Sequence, residues 1–273
     1  MHYCRIDITS NSKEKPSFFI GSALRGAFGY ALEEVSCEDT PCKCIEKPLK
    51  DRCLYHHLYK SDNIKPFRID TELASDAYDF SLYFFSKDNK VSDIETILSA
   101  LKIMMTKRGI GRDCRKKSSV HCIKFPKCTY SIATIDPHLN ALTAKTSTQV
   151  KIHLKTPCIL TNSNKERLRD IGIEDILSSI YKKHSYFANA DAYAKLPFNP
   201  KYKLVSKKIN AEVKISRESH EQQKNIVLEG VTGTIVVKEL DHESYKLLKL
   251  GEILSVGKDT VRGLGKIEIE SCF

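Results

Sequence analysis

Four cysteines, Cys37, Cys42, Cys44 and Cys53, fall within 17 residues at the spacing C-x4-C-x-C-x8-C. Four soft ligands this close can supply the tetrahedral sulfur set of zinc, and Pro41 and Pro48 limit the freedom of the loop before metal binds. Four thiolates leave no open coordination position, so a bound ion would be structural and would fix the path of the chain. An iron–sulfur cluster would also accept thiolates, although its usual spacings differ. The plainest alternative is a set of unliganded thiols. Cys114, Cys122 and Cys128, with His121, are spaced too loosely to make a second site.

Proton transfer near neutral pH falls to histidine, of which the chain has nine. His56 and His57 form an adjacent pair just after the cysteine cluster, where either could also replace a cysteine as a zinc ligand. His2, His121 and His184 stand alone, and a lone histidine on a strand or helix is usually structural. Aspartate and glutamate show no Asp-x-Asp arrangement that would hold catalytic magnesium, which argues against a two-metal nuclease.

Cations gather in two runs. Lys107, Arg108, Arg112, Arg115, Lys116 and Lys117 lie within eleven residues, and Lys201, Lys203, Lys207 and Lys208 within eight. Such runs can follow a phosphate backbone, or they can simply be solvated loops. Near the end stands Gly257-Lys258-Asp259-Thr260-Val261-Arg262-Gly263-Leu264-Gly265. Glycines of this density let a backbone present N–H groups to phosphate, with Lys258 and Arg262 supplying charge; the plainer reading is a tight connection. The segment lacks the Gly-Lys-Ser/Thr ending of a P-loop, so nucleotide hydrolysis is a poor reading.

Two sets of elements must position these groups. Residues 2–9 alternate as a strand; residues from 22, with Ser22 as a cap, carry Leu24, Phe28, Ala31, Leu32 and Val35 on one helical face. Strands follow at 67–69 and 78–85, a helix at 91–105 and a strand within 120–135. The second half repeats the order: strand 149–156, helix 164–186, a hairpin of 207–215 with 225–238, helix 241–254 and strand 265–270. Two successive βαββαβ units predict an α+β protein of tandem ferredoxin-like domains, at 1–140 and 141–273, with the cysteine-rich insertion in the first.

Composition sets the wider limits. With 273 residues, 41% hydrophobic and 29% charged, the chain can bury a sizeable core. Its longest apolar stretches fall short of the roughly 20 residues a membrane span needs, and Arg5 and Asp7 interrupt any leader, so a cytoplasmic protein with reduced cysteines is expected. The net charge of +10 is spread over both halves and suits an anionic partner. Tryptophan is absent, but 12 Tyr and 11 Phe leave base-stacking platforms available.

Several motifs now line up in order: Gly21-Ser22-Ala23-Leu24-Arg25-Gly26-Ala27-Phe28-Gly29, the spaced cysteines ending in Cys53-Leu54-Tyr55-His56-His57-Leu58-Tyr59, Gly230-Val231-Thr232-Gly233, Gly251-Glu252, and Val256-Gly257-Lys258 with Gly263-Leu264-Gly265. Together they resemble the CRISPR precursor-RNA-processing endoribonucleases of the RAMP superfamily, over nearly the whole chain. Residues 217–223 also look like the family's basic, glutamine-containing strand. The resemblance implies paired ferredoxin-like domains that hold a CRISPR repeat RNA and cleave it once per repeat, with no metal in the chemistry.

On that basis His56 and His57 are the leading catalytic candidates, since in several relatives the catalytic histidine follows the first helix. Arg25, Lys207, Lys208, Arg217, Lys258 and Arg262 are the expected RNA-binding residues. Repeat RNA is the expected partner, with other CRISPR effector subunits or a second copy of the chain beside it. One departure matters: many relatives carry histidine just before Val-Gly-Lys, and this chain has Ser255. That favours an alternative in which the protein is a non-catalytic RNA-binding subunit of an effector assembly. A zinc-containing protein-interaction module unrelated to RNA is the weaker third reading.

Overall fold

The structure is a computed structural model, and it describes residues 1–10, 14–37, 53–60, 64–86, 93–111, 123–124, 128–135, 149–219 and 224–272. The chain divides into two compact units, Met1–Asp136 and Pro137–Phe273. Among the described residues each is a four-stranded antiparallel sheet with two α-helices, so the protein is mixed α/β with two separate sheets.

In the first unit β1 (His2–Ser10) is followed by α1 (Gly21–Ser36), β2 (Phe67–Asp70), β3 (Phe80–Ser86), α2 (Ile94–Ile103) and β4 (Cys128–Ile135), with strand order β2-β3-β1-β4. Alternation in β1 sends Cys4, Ile6 and Ile8 to one face, opposite Phe84, Leu82 and Phe80 of β3. Phe28 of α1 meets this face, its ring 6.2 Å from that of Phe84 and 6.3 Å from that of Phe67. On the reverse face Arg68 is only 1% exposed, lies 4.0 Å over the Tyr83 ring and pairs with Asp70 at 3.1 Å. Stacking on Tyr83 and the Asp70 carboxylate give that buried guanidinium two partners in place of water.

The second unit runs β5 (Gln149–Cys158), α3 (Ile173–Asn189), β6 (Lys203–Ser219), β7 (Lys224–Lys238), α4 (His242–Leu254) and β8 (Ile267–Cys272), ordered β6-β7-β5-β8. Val150, Ile152 and Leu154 of β5 join Ile235 and Val237 of β7 in a core closed by Ile176, Leu177 and Ile180 of α3 and Leu248, Leu250 and Leu254 of α4. Strands β6 and β7 pair on past a bulge at Asn210 and Val213, so the hairpin continues beyond the end of β5.

Three sequence expectations shift. Helix α1 begins one residue before Ser22, which makes no cap and holds a buried hydroxyl. Helix α3 begins at Ile173 rather than 164, because the Asn162 side chain accepts from Glu166 N at 2.9 Å and closes a turn there. The true start is fixed by Asp175, whose carboxylate takes the Gly172 N–H at 2.7 Å. The helix expected over 91–105 is regular only for Ile94–Ile103, then continues as a wider turn over Met104–Arg108. Among the described residues no helix is long and apolar enough to cross a membrane.

Candidate active site

In the first unit the chain returns to α1 through a short helical segment, residues 54–60, whose last part His56–Lys60 has π-type geometry. Tyrosines hold it in place. Tyr55 and Tyr59 stack at 5.2 Å and 14°, and the Tyr59 ring sits 5.4 Å from Phe67 and 6.4 Å from Phe28. Tyr59 fits only because Gly29 has no side chain: a Cβ there would lie 2.7 Å from Tyr59 Cε1. The Tyr59 hydroxyl donates to the Arg25 carbonyl oxygen at 2.8 Å, and the Arg25 guanidinium stands 5.0 Å from the ring centre.

Through Tyr59, then, the structure links Arg25 to the turn bearing His56 and His57, three of the residues singled out in the sequence. His57 is exposed, yet its neighbours strip enough water to pull its imidazole below the ordinary pKa. The Asp93 carboxylate opposes this and His56 adds to it. His56 is half-buried; its Nε2 and the Arg25 Nε are buried without a hydrogen-bond partner among the described residues. The group therefore offers an imidazole that is neutral at physiological pH and a guanidinium with unfilled donor capacity. Such a pair can take a proton from a hydroxyl and neutralise a nearby phosphate. Tyr59 escaped sequence reasoning; its signal is the i, i+4 spacing from Tyr55 beside a glycine in the facing helix.

Cys37 and Cys53 come together, Sγ to Sγ 3.2 Å, while Cys42 and Cys44 lie outside the described residues. So do His121, Arg112, Arg115, Lys116 and Lys117. Arg108 is turned inward to Glu34, its Nε 2.8 Å from the carboxylate. His2 lies in β1 opposite Ser86, and His184 lies in α3, its pKa lowered by burial.

In the second unit the glycine-rich segment is a folded connection. Lys183, 8% exposed in α3, donates to the Ser255 carbonyl at 2.9 Å and to that of Leu254 at 3.4 Å, holding the end of α4. Gly257 N donates to Ser179 Oγ at 2.8 Å, Lys258 N to Ile159 O at 2.9 Å and Gly265 N to Pro157 O at 3.1 Å. Arg262 N and Gly263 N close local turns onto Asp259 and Thr260. These five amides are already engaged, so the loop's outward charge rests on its side chains. Arg262 pairs with Asp259, and Lys258 is exposed with no ion pair among the described residues. Ser255 is 1% exposed. Burial pushes the nearby Cys158 thiol up to about 12, so it stays protonated.

Lys207 and Lys208 point to opposite faces of β6. Lys207 pairs with Asp170, whereas Lys208 is exposed beside Thr234. Arg217 stands in β6 opposite Ile226. A further histidine went unremarked in the sequence: His153, on the same face as Lys208, lies 3.2 Å from both Thr234 and Glu270.

Residues 152–267 match the family model described as CRISPR-associated endoribonuclease Cas6, and residues 1–135 match a model described as an N-terminal domain. No curated protein matches the sequence. Among solved structures, a Cas6 product complex is similar over 98% of both chains, with a TM-score of 0.61 at 13% identity. A second Cas6 product complex has a TM-score of 0.55 at 12% identity, covering 99% of this chain and 100% of its own. Thermus thermophilus Cas6 has a TM-score of 0.51 at 12% identity over 98% of both. At such identities the likeness speaks for the fold.

Proposed function

We propose that this chain, whose residues 152–267 match the Cas6 endoribonuclease family model, is a Cas6-type CRISPR-associated RAMP endoribonuclease that binds the repeat RNA of a precursor transcript and cleaves it by attack of a ribose 2′-oxygen. The observation that carries this reading is the placement of the His56–Lys60 turn against Arg25 by Tyr59. Each unit is read as a ferredoxin-like module, an assignment supported by its strand–helix–strand–strand–helix–strand order.

In the proposed reaction the neutral imidazole of His57 takes the proton from the 2′-hydroxyl. The 2′-oxygen then bonds to phosphorus as the bond from phosphorus to the 5′-oxygen breaks, and an acid supplies the leaving oxygen with its proton. Arg25 steadies the additional negative charge at phosphorus. The products are a 2′,3′-cyclic phosphate and a 5′-hydroxyl, and no metal takes part. Lys208, Arg217 and Lys258 serve the RNA backbone, while Lys207 and Arg262, already ion-paired, contribute less.

A second reading, a non-catalytic RNA-binding subunit, draws support from Ser255, which stands buried where many relatives carry histidine. The test is a repeat RNA incubated with purified protein in excess EDTA. One cut per repeat with cyclic-phosphate ends is expected; tight binding with no cut supports the subunit reading.

A further inference from the structure

We propose that Ser179 and Lys183 of α3 are positioning residues for RNA binding, a two-point clamp that sets where the glycine-rich connection presents Lys258. The inference rests on the reading of Lys258 as a contact to the RNA backbone. The two residues stand one turn apart on the same face of α3. Beside them Ile180 packs against α4, where Gly251 leaves the room: a Cβ there would lie 2.5 Å from Ile180 Cδ1.

The clamp acts on both kinds of backbone group. Lys183 supplies donors, its Nζ lying 2.9 Å from the Ser255 oxygen and 3.4 Å from that of Leu254. Those carbonyls stand at the end of α4, where a helix leaves them without internal partners and favours a cation. Ser179 supplies an acceptor, its Oγ taking the Gly257 N–H at 2.8 Å. Between the two contacts Ser255 holds φ +57°, a conformation that a residue other than glycine keeps only when its surroundings enforce it. The Lys183 contact on its carbonyl is one such constraint. Gly257 has φ +77°, and a Cβ there would collide with the Ile159 carbonyl oxygen, which in turn accepts the Lys258 N–H at 2.9 Å. The Lys258 main chain is thus fixed from both sides while its side chain is exposed. Lys183, 8% exposed, acts from beneath rather than by touching RNA.

Ser179→Ala removes the acceptor with little change in volume. In the full-length protein alone, hydrogen exchange at the Gly257 amide should quicken by roughly 2- to 10-fold, with the β5 amides unchanged. Against a repeat RNA over a salt series, the variant should bind more weakly and lose part of the approximately one unit of slope that Lys258→Ala removes. Ser179→Thr, which restores the hydroxyl, should recover both. Once Lys258 is alanine, Ser179→Ala and Lys183→Met should lower affinity no further, because the residue they position is gone. Lys183→Met can fail to fold, so Ser179→Ala decides alone. Unchanged exchange at Gly257, wild-type affinity and slope in Ser179→Ala, or a loss that adds in full to that of Lys258→Ala would overturn the assignment. A wild-type protein without salt-dependent RNA affinity would overturn it through the reading it rests on, and that failure is told apart by an exchange difference that persists.

Discussion

Tyr59 touches Arg25 twice, its hydroxyl donating to the Arg25 carbonyl at 2.8 Å and its ring lying 5.0 Å from the same residue's guanidinium. One side chain thus sets both where the His56–Lys60 turn meets α1 and where the arginine charge is held. Tyr59→Phe keeps the ring and should cost about 1 kcal/mol of stability with near-normal cleavage. Tyr59→Leu loses the stack with Tyr55 and the platform under Arg25. Misplacing a catalytic group in this way lowers single-turnover cleavage by roughly 10- to 100-fold, with RNA affinity reduced far less. Parallel binding and single-turnover assays check the split.

The depressed pKa of His57 fixes the sign of a pH effect. A base with a lowered pKa remains neutral to lower pH, so the cleavage rate should rise through that pKa and level off by about pH 7. Asp93→Asn removes the carboxylate that holds the pKa up, so the acidic limb should move to still lower pH. His57→Ala should cost about 10²- to 10⁴-fold in rate, with His56→Ala costing less. Rate–pH profiles of the three variants check this, and unchanged cleavage in both alanine variants would move the role to another histidine.

The terminal loop makes a sharp demand on one residue. Gly265 has φ +76°, and a Cβ there would lie 1.8 Å from the Val256 carbonyl oxygen, which is backbone and cannot move aside. Gly265→Ala should therefore destabilise by more than about 3 kcal/mol. Gly26, inside α1, has open space around its missing side chain, and Gly26→Ala should gain roughly 0.5–1 kcal/mol of helix stability. Chemical denaturation of the two variants provides the comparison.

Charge that is already paired should matter less to RNA. Lys258→Ala should weaken RNA binding and reduce the salt dependence of the affinity by about one unit of slope. Lys207→Ala should change that slope less, because Asp170 already holds the ammonium. Affinities measured across a salt series separate the two.

Much of the architecture was legible because it rests on periodicity. The alternation of Cys4, Ile6 and Ile8 and the helical spacing of Leu24, Phe28, Ala31 and Leu32 both reflect burial on one face, and the structure buries those residues. Helix α3 misled at its start because Leu168 and Ile171 continue an apolar spacing through a turn that Asn162 closes locally. The site was only partly legible. The histidine pair and the Leu24-Arg25-Gly26 motif singled out His56, His57 and Arg25, but Tyr59 packs on a glycine distant in sequence, which its i, i+4 spacing from Tyr55 does not reveal. The glycine-rich segment was visible as a glycine-rich connection, without showing that Gly265 takes a positive φ or that its amides would bond to Ile159, Pro157 and Ser179.

The most direct measurement is single-turnover cleavage of a repeat RNA, in excess EDTA, against the same RNA with one 2′-deoxy nucleotide on the 5′ side of the cut. The account predicts a cut in the first, no detectable cut in the second, and equal affinity for both. Equal cleavage of the two RNAs would contradict attack by the ribose 2′-oxygen.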